Sequence, residues 1–473
     1  MTAVAEGFSY ERQDAFSLPR PQGWERIGTE AGMLAVAHPP VPAGIFRPSM
    51  VLRWSPANEV SVARYATAGL ASVLEELDDV RVFANELWIP NAADPKGTGR
   101  RQRFVHRAGG HPICVDRWIW TAGGFAVEAA ASYTIDQHAG MKLLFEQMVR
   151  DIRIDEASPD SPGGSPAGAD GYDIGRIAPR EPRLDDAASR WAGVELEDLG
   201  SIEAAQPYRE QGVLLPIPAL ELLDTLLTGH RLGRFQRKDP AAAVLQSAGL
   251  LTAEATLTPA GVEFLLPVRK LDASFRVEAC NAAGGSVLQA WIGGGAAKIA
   301  AGPSLFAAVP ASASAFGTGV VAVSLMPARL VPQRIAAWGG LAPGWSIPHG
   351  PVALSMDHYE ARLKSARTPA PKNLNREAGR MWRQPWTEWQ ILEEGTGGWF
   401  GWVNAGQAGQ YRLLPGEGAP AGSDPAGGDP AGGRAVLLEP MSPAVVWDIL
   451  VRFIHSSVER IPLRLPEVPG FDG

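Results

Sequence analysis

The stretch that decides the fold is RQRFVHRAGGHPICVDRWIWTAGGFAVEAAASY, residues 101–133. Three runs rich in Val, Ile, Phe, Trp and Tyr are separated by Gly109-Gly110 and by Gly123-Gly124. Paired glycines between such runs are typical of tight turns that join antiparallel strands. The stretch therefore predicts a β-meander, with strands Arg101–His106, Ile113–Trp120 and Phe125–Tyr133.

Sequence on both sides extends this meander into a first unit, residues 1–155. Alternating or helical spacing of apolar residues predicts further elements, which are strands Met33–Ala37, Met50–Trp54 and Val80–Trp88, a helix from Asn58 or Ser61 to Leu77, and a helix over Asp136–Val149. Strands in a meander with helices beside them predict an α+β sandwich.

Two stretches have the composition of flexible connections. Residues 156–182 contain SPDSPGGSPAGADG, in which Pro, Gly, Ser and Asp are too dense to bury apolar surface, so a disordered linker is expected. Residues 416–433 contain the direct repeat DPAGG-DPAGG. Strand-like sequence on both sides of this second stretch predicts a low-complexity loop within a domain.

Residues 183–473 form a second unit that also mixes helices and strands. The predicted helices are Pro218–Thr228, two that begin at Asp239-Pro240 and at Thr258-Pro259, Pro332–Trp338, a helical stretch His358–Met381, and Ser442–His455. The predicted strands are Ser274–Cys280, Ser286–Ile292, Ala296–Ala301, Leu305–Val309, Val320–Leu325, Trp386–Leu392, Trp399–Asn404, Gln410–Leu414 and Arg434–Leu438. A strand that ends at proline is twice followed by a helix, near Pro327 and near Pro440. This pattern predicts two related halves.

Bulk composition indicates which cellular compartment and which kinds of partner to expect. A formal net charge of −8 over 473 residues gives no general attraction to nucleic acid or to an anionic membrane. Two cysteines, Cys114 and Cys280, do not make a disulfide framework, which suits a reducing compartment. The start of the chain lacks the features of a signal peptide, and no apolar run reaches the roughly 18 residues of a membrane span. We therefore expect a cytoplasmic protein.

Candidate metal, nucleotide and nucleic-acid motifs are each incomplete. His106, His111 and Cys114 lie close together, but a fourth zinc ligand is missing nearby. Residues 317–322 fit G-x-G-x-x-A but precede a predicted strand, and residues 293–298 lack the end of a P-loop. The basic stretch from Arg100 to Arg107 lacks the repeated interleaving of aromatic residues that is typical of RNA or single-stranded DNA binding. These gaps predict a protein without cofactor, metal or catalytic site.

The most informative feature of the composition is its high tryptophan content, with 15 tryptophans in the chain. Core packing explains most such rings, but aromatic residues near a sheet surface are also enriched in protein interfaces. The density of rings on two predicted sheets yields a set of candidate partner-binding residues: Trp118, Trp120, Trp389, Trp399, Phe400 and Trp402.

The first unit resembles the DcrB and LpqN-like branch of the Mog1/PsbP-like fold. The residues that carry this resemblance are the opening Pro21–Trp24, the strand that ends at Trp54, the helix Ser61–Leu77, the meander, and the closing Asp151–Ile154. The resemblance implies an α/β sandwich that binds other molecules rather than catalysing a reaction.

The second unit resembles the EspG family of type VII (ESX) secretion chaperones. The matching segments are Leu220–Leu227, Ala248–Leu251 before Leu257–Pro259, Gly317–Val323 with Pro332–Trp338, and Ala435–Pro440 with the helix after Ser442. This resemblance implies a cytosolic chaperone or adaptor for a small helical secreted protein of the PE/PPE or WXG type. The alternative is a non-enzymatic scaffold component of a secretion or phage-like apparatus.

Overall fold

The computed structural model describes residues 8–28, 30–57, 61–88, 99–155, 199–306, 319–345, 350–372, 374–416 and 435–459. The predicted linker at 156–182 lies outside these ranges, and so does the predicted loop at 416–433 except for its first residue. Helices and antiparallel sheets make up the described residues, which confirms the predicted α+β class.

The first unit consists of strands β1 to β10 with helices α1 and α2. The strands are Phe8–Gln13, Phe16–Pro21, Glu25–Arg26, Met33–Ala37, Ser49–Pro56, Asp78–Trp88, Gly99–Ala108, His111–Ala122, Phe125–Thr134 and Arg153–Ile154, and the helices are Val62–Glu76 and His138–Arg150, the latter preceded by a 3₁₀ turn at Ile135–Gln137. Of the two predicted starts of α1, the structure takes Ser61, whose hydroxyl accepts a hydrogen bond from the backbone N–H of Arg64.

The predicted meander forms the centre of the first unit's main sheet. Within the described ranges this sheet has the order β3-β4-β5-β9-β8-β7-β6, and a smaller sheet has the order β1-β2-β10. The paired glycines at both hairpin turns have positive φ angles, a backbone conformation that glycine adopts without strain. Because β10 pairs with β2, the last strand of the unit returns to its first strands.

The second unit consists of helices α3 to α10 and strands β11 to β20. In chain order they are α3 Gly200–Ala205, β11 Val213–Pro216, α4 Ile217–Asp224, α5 Pro240–Ser247, α6 Pro259–Arg269, β12 Leu271–Asn281, β13 Gly284–Gly293, β14 Ala296–Ala301, β15 Val320–Pro327, α7 Val331–Trp338, β16 Val352–Ser355, α8 Met356–Lys364, α9 Arg376–Arg383, β17 Thr387–Glu393, β18 Trp399–Asn404, β19 Gln410–Gly416, β20 Ala435–Met441 and α10 Pro443–Glu459. Short 3₁₀ turns lie at Gln236–Lys238, Ala328–Leu330 and Gly406–Ala408.

The strand order of the second unit confirms the two predicted halves. Its antiparallel sheet, as far as it is described, has the order β11-β15-β14-β13-β12-β17-β18-β19-β20-β16. In each half the first strand along the chain pairs with the last, β11 with β15 and β16 with β20. The second strand of each half, β12 or β17, lies at the centre of the ten-stranded sheet. The halves meet where β12 pairs with β17, from Phe275↔Glu393 to Cys280↔Glu388. In both halves a helix follows the last strand, α7 after β15 and α10 after β20.

Helices cover the two faces of this sheet unequally. Apolar side chains of α7 and α10 pack across the centre of one face, against β12, β13, β14, β17 and β18. On the opposite face, α4 to α6 cover the end that holds β14 and β15, and α8 and α9 cover the end that holds β16 and β20. The centre of this second face therefore lies between two groups of helices.

The two units share a core because α10 also packs on the first unit. Helix α1 covers one face of the seven-stranded sheet, over β6, β7 and β8, and α10 contacts β6. Phe83 of β6 and Trp447 of α10 are buried and stacked, with ring centroids 4.1 Å apart and planes 16° from parallel. The last helix of the second unit is thus part of the hydrophobic core of both units.

One prediction about the second unit is wrong in part, and another lies mostly outside the described ranges. The helical stretch predicted over His358–Met381 is two helices, α8 and α9, because Pro369 and Pro371 lie between them and cannot continue a helix. The strand predicted at Leu305–Val309 begins with a turn at its first two residues, and its other three lie outside the described ranges.

Candidate functional site

The densest cluster of ionisable side chains joins the two units. Arg103 of β7 donates two hydrogen bonds to the carboxylate of Asp116, from Nε at 2.7 Å and from Nη2 at 2.9 Å. Its remaining Nη1 donates to Asp448 of α10. Tyr133 donates to Asp116 at 2.6 Å, and His138 Nε2 lies 2.8 Å from the Asp448 carboxylate. One guanidinium therefore links carboxylates of both units.

Charge compensation keeps these carboxylates ionised despite their burial. Burial alone would raise the pKa of Asp448, but Arg103, His138 and Lys142 outweigh it and hold that pKa well below its usual range. Burial also raises the pKa of Asp116, but the charges of Arg103 and Arg101, together with the hydrogen bonds from Arg103 and Tyr133, outweigh it and lower that pKa. The carboxylates of Asp116 and Asp448 are therefore stabilised in their charged form inside the protein.

The burial of this cluster limits which molecules can reach its side chains. The side chains of Arg103, Asp116 and Asp448 are exposed by only 0%, 1% and 5%. A catalytic group must come within hydrogen-bond distance of a substrate, and a substrate cannot reach these atoms in this conformation. The cluster acts as an internal connection between the units, not as a reaction centre. Glu86 of β6 adds to this connection by accepting a hydrogen bond (3.2 Å) from the backbone N–H of Ala444, in the first turn of α10.

A partly exposed surface lies at the centre of the ten-stranded sheet, on the face that α7 and α10 do not cover. We call it the open strip, and it consists of Ser274, Arg276, Glu278, Gln289, Gln390, Leu392 and Trp399 on β12, β13, β17 and β18. Burial alternates along these strands, so that the other side chains point into the core beneath α10. Strands about 4.8 Å apart give β12, β17 and β18 a width of about 10–14 Å, which matches the diameter of about 10–12 Å of one α-helix.

The open strip is closed at one end and apolar at the other. Tyr359 of α8 donates a hydrogen bond to Glu388 at 2.6 Å, and α8 packs on β12 there. In the middle, Arg276 and Glu278 form an ion pair at 2.6 Å. The far end presents Leu392 and Trp399, directly opposite each other on β17 and β18 and exposed by 37% and 50%. Such a surface offers an apolar anchor next to a polar floor.

A glycine lets the half-exposed ring of Trp399 pack close to the neighbouring backbone of the strip. A side chain at Gly401 would begin 3.2 Å from Cζ3 of Trp399 and 3.2 Å from Cδ1 of Leu413. The Trp399 ring therefore packs closely over Gly401, where a larger residue would crowd it. Large, rigid aromatic rings held in this manner are typical anchors of protein interfaces.

Of the six aromatic residues predicted to bind a partner, the structure places four in the core: Trp118, Trp120, Trp389 and Trp402. Trp389 and Trp402 stack beneath the helices with centroids 4.6 Å apart, and Trp120 packs edge-on against Trp88. These four are not available as surface contacts in this conformation, because each ring fills space between a sheet and its helices. Phe400 is half-buried against Phe453 on the covered face, which leaves Trp399 in the open strip.

Leu392 and the Arg276–Glu278 pair are site residues that the sequence prediction missed. The signal was present, because β17 alternates Thr387, Trp389 and Ile391 inward with Glu388, Gln390 and Leu392 outward. The prediction followed aromatic residues only, and it therefore included the inward-facing Trp389 and omitted its outward neighbours.

The other candidate motifs fall in ordinary structural positions. Among the described residues, no group of three or more His, Cys, Asp or Glu side chains is arranged to hold a metal ion. Gly294 and Gly295 have positive φ angles in the turn between β13 and β14, and residues 317 and 318 of the G-x-G-x-x-A motif lie outside the described ranges. No helix in the described part of the chain is both long and apolar enough to cross a membrane.

No protein-family model matches this chain, and no curated protein matches it. Solved structures do resemble part of it. LpqN of Mycobacterium tuberculosis, involved in cell envelope biogenesis, is 12% identical with a TM-score of 0.25, covering 30% of this chain and 83% of its own. A variant of Mog1 is 9% identical with a TM-score of 0.25, covering 32% and 97%. PsbP of Synechocystis is 9% identical with a TM-score of 0.26, covering 33% and 96%.

LpqN, Mog1 and PsbP are proteins after which the resemblance predicted for residues 1–155 is named. None of the three is an EspG protein, so the EspG resemblance of residues 183–473 stays a prediction.

Proposed function

We propose that this chain is a cytoplasmic, non-enzymatic adaptor or chaperone that holds a helical segment of a partner protein in the open strip. The observation that carries the proposal is a sheet face left uncovered at its centre, one helix wide, between two groups of helices. A partner helix in this gap would complete the layer of helices on this face of the sheet, with an apolar side chain against Leu392 and Trp399. Amphipathic helices laid in grooves are a recurring mode of recognition.

The partner we propose is a small helical protein secreted by a type VII (ESX-like) system. Support comes from the EspG resemblance of residues 183–473 and from the apolar end of the strip. Leu392 and Trp399 would contact an apolar position near the tip of the partner helix, while Arg276 and Glu278 would face its polar side. The proposed task is to cover that apolar surface until the partner is exported.

Charge placed at the apolar end of the strip is expected to abolish partner capture. Trp399→Glu and Leu392→Glu each put a carboxylate where the partner's apolar side chain would be desolvated, so we expect at least a tenfold loss of affinity. Full-length wild type and each variant would serve as bait in cytosol of the source organism. Binding of the recovered partner would then be measured by titration.

Phe235→Glu is the matched control, because Phe235 is exposed by 89% just before the 3₁₀ turn Gln236–Lys238, outside the strip. It should bind the partner as wild type does. If Trp399→Glu and Leu392→Glu also bound as wild type does, the strip would not be the partner site. Recovery of only further copies of this chain would instead favour a scaffold component.

A further inference from the structure

A second candidate site lies in a cleft between the two units, and none of its lining residues belongs to the open strip. The cleft has a volume of about 580 Å³. Its walls are the end of α1 and the start of β6 from the first unit, and the segment after α3, the end of β15 and α7 from the second unit. A volume of this size matches sites for small molecules, which measure about 300–1,000 Å³.

Positive charge dominates the lining of this cleft. Five arginines and one acidic residue line it: Arg81, Arg107, Arg209, Arg329, Arg334 and Asp79. Asp79 is already paired with Arg107 at 2.7 Å. Glu203 and Glu210 are near enough to influence Arg81 and Arg334 electrostatically, but neither lines the cleft. Even with these two acids included, arginines outnumber carboxylates by five to three.

Backbone carbonyl groups, not carboxylates, hold the three best-defined guanidinium groups. Arg81 donates to the carbonyl oxygens of Gln206 and Leu341, Arg334 to that of Arg209 at 2.8 Å, and Arg329 to that of Gly110 at 3.3 Å. These bonds fix the side chains in place without a direct carboxylate contact, so Glu203 and Glu210 offset the charges of Arg81 and Arg334 only from a distance. Burial lowers the pKa of Arg81 to about 10 and also lowers the pKa of Arg334, because water no longer stabilises either cation fully. An anion in the cleft would restore that stabilisation.

The same cleft also has an apolar wall. Leu74, Leu77 and Val80 line it from the first unit, and Met326 and Leu330 line it from the second. A ligand that carried only charge would leave this wall against water. The best-matched ligand therefore combines an anionic head with an apolar body.

We propose that this cleft binds a small organic oxyanion, with a phosphate or carboxylate head held by the arginines and an apolar body against α1 and the end of β15. Both units contribute to the site, so the ligand would bind only to the assembled pair. This site is independent of the partner-binding role proposed for the open strip.

Calorimetric titration of the full chain tests the proposal with four probes: octyl phosphate, octanoate, inorganic phosphate and the neutral octanol. We expect octyl phosphate or octanoate to bind, inorganic phosphate to bind more weakly, and octanol not to bind at the same concentrations. The stronger of the two octyl anions identifies the head group as phosphate or carboxylate. Binding should weaken as salt rises, because it depends on charge.

Arg209→Gln and Arg329→Gln keep the test independent of folding, because neither side chain is buried. Each should weaken binding of the octyl anion about tenfold or more, as loss of a charge-assisted contact does. Arg26→Gln, which removes a partly exposed arginine from the first unit outside the cleft, should leave affinity unchanged. Octanol binding as tightly as octanoate, or unchanged affinity in both cleft variants, or no binding of either octyl anion at millimolar concentration, would overturn the proposal.

Discussion

Replacing Asp448 by asparagine is expected to lower the free energy of unfolding by about 3 kcal/mol. Breaking a buried ion pair by removing one partner costs about 3–5 kcal/mol, since the other charge stays buried without compensation. We expect the lower end of this range, because Arg103 keeps its two hydrogen bonds to Asp116. Urea denaturation of wild type and Asp448→Asn, followed by tryptophan fluorescence, measures the difference.

An exposed ion pair provides the matched control. Asp79 and Arg107 are exposed by 52% and 57%, and pairs of this kind contribute about 0–1 kcal/mol. Asp79→Asn should therefore change the urea midpoint little, because asparagine also tolerates the positive φ of 51° that Asp79 adopts. Equal losses in Asp448→Asn and Asp79→Asn would contradict a role of the buried cluster in joining the units.

The stability that Asp448→Asn loses relative to wild type should depend on pH. The pKa of the Asp448 carboxyl is held below its unfolded value, so its contribution to stability is fully present above the unfolded pKa of about 4 and is lost as the pH falls below it. The stability gap between wild type and Asp448→Asn should be full at pH 7 and should narrow below about pH 4. A gap that stayed constant down to pH 3 would show that the charge of Asp448 is not what stabilises the fold.

Removing the ring of Trp447 should have the second large effect, a loss of about 3–5 kcal/mol in Trp447→Ala. This is the usual cost of truncating a buried aromatic residue to alanine, and Trp447 is fully buried against Phe83. Because the two rings belong to different units, the loss should lower the stability of both. Thermal unfolding followed by circular dichroism measures it.

Two further substitutions separate ring packing from a general effect of losing tryptophan. Trp447→Phe keeps a ring for Phe83 and removes an indole N–H that has no acceptor among the described residues, so it should cost less than half as much as Trp447→Ala. Trp399→Ala removes a half-exposed ring and should cost less than about 1 kcal/mol. If Trp447→Ala lost no more stability than Trp399→Ala, α10 would not be part of the shared core.

Local signals in the sequence were sufficient to place many elements. Asp239 and Thr258 each precede a proline, and α5 and α6 begin there, with the side chains of both residues accepting backbone hydrogen bonds. The paired glycines located the hairpins of the meander in the same way. These signals are local because a cap or a tight turn depends on residues only a few positions apart.

Contacts between distant segments could not be predicted in this manner. Arg103 and Asp448 are 345 residues apart, and the one sequence signal for their pairing is an aspartate within the apolar face of the last helix, beside Ile449. Alternation along β18 separates Trp399 from Phe400, but which of them is exposed depends on where α10 packs. For this reason the aromatic count pointed to the sheet that carries the open strip but not to the residues exposed on it.

The most direct test of the proposed partner site is photo-crosslinking in the source organism. A benzophenone-bearing amino acid would replace Trp399 in one strain and Phe235 in another, and products would be identified by mass spectrometry after irradiation. We predict that position 399 crosslinks to one or two small helical secreted proteins and that position 235 does not. Crosslinks to the same proteins from both positions, or from position 399 only to further copies of this chain, would contradict the proposal that the open strip holds a partner helix.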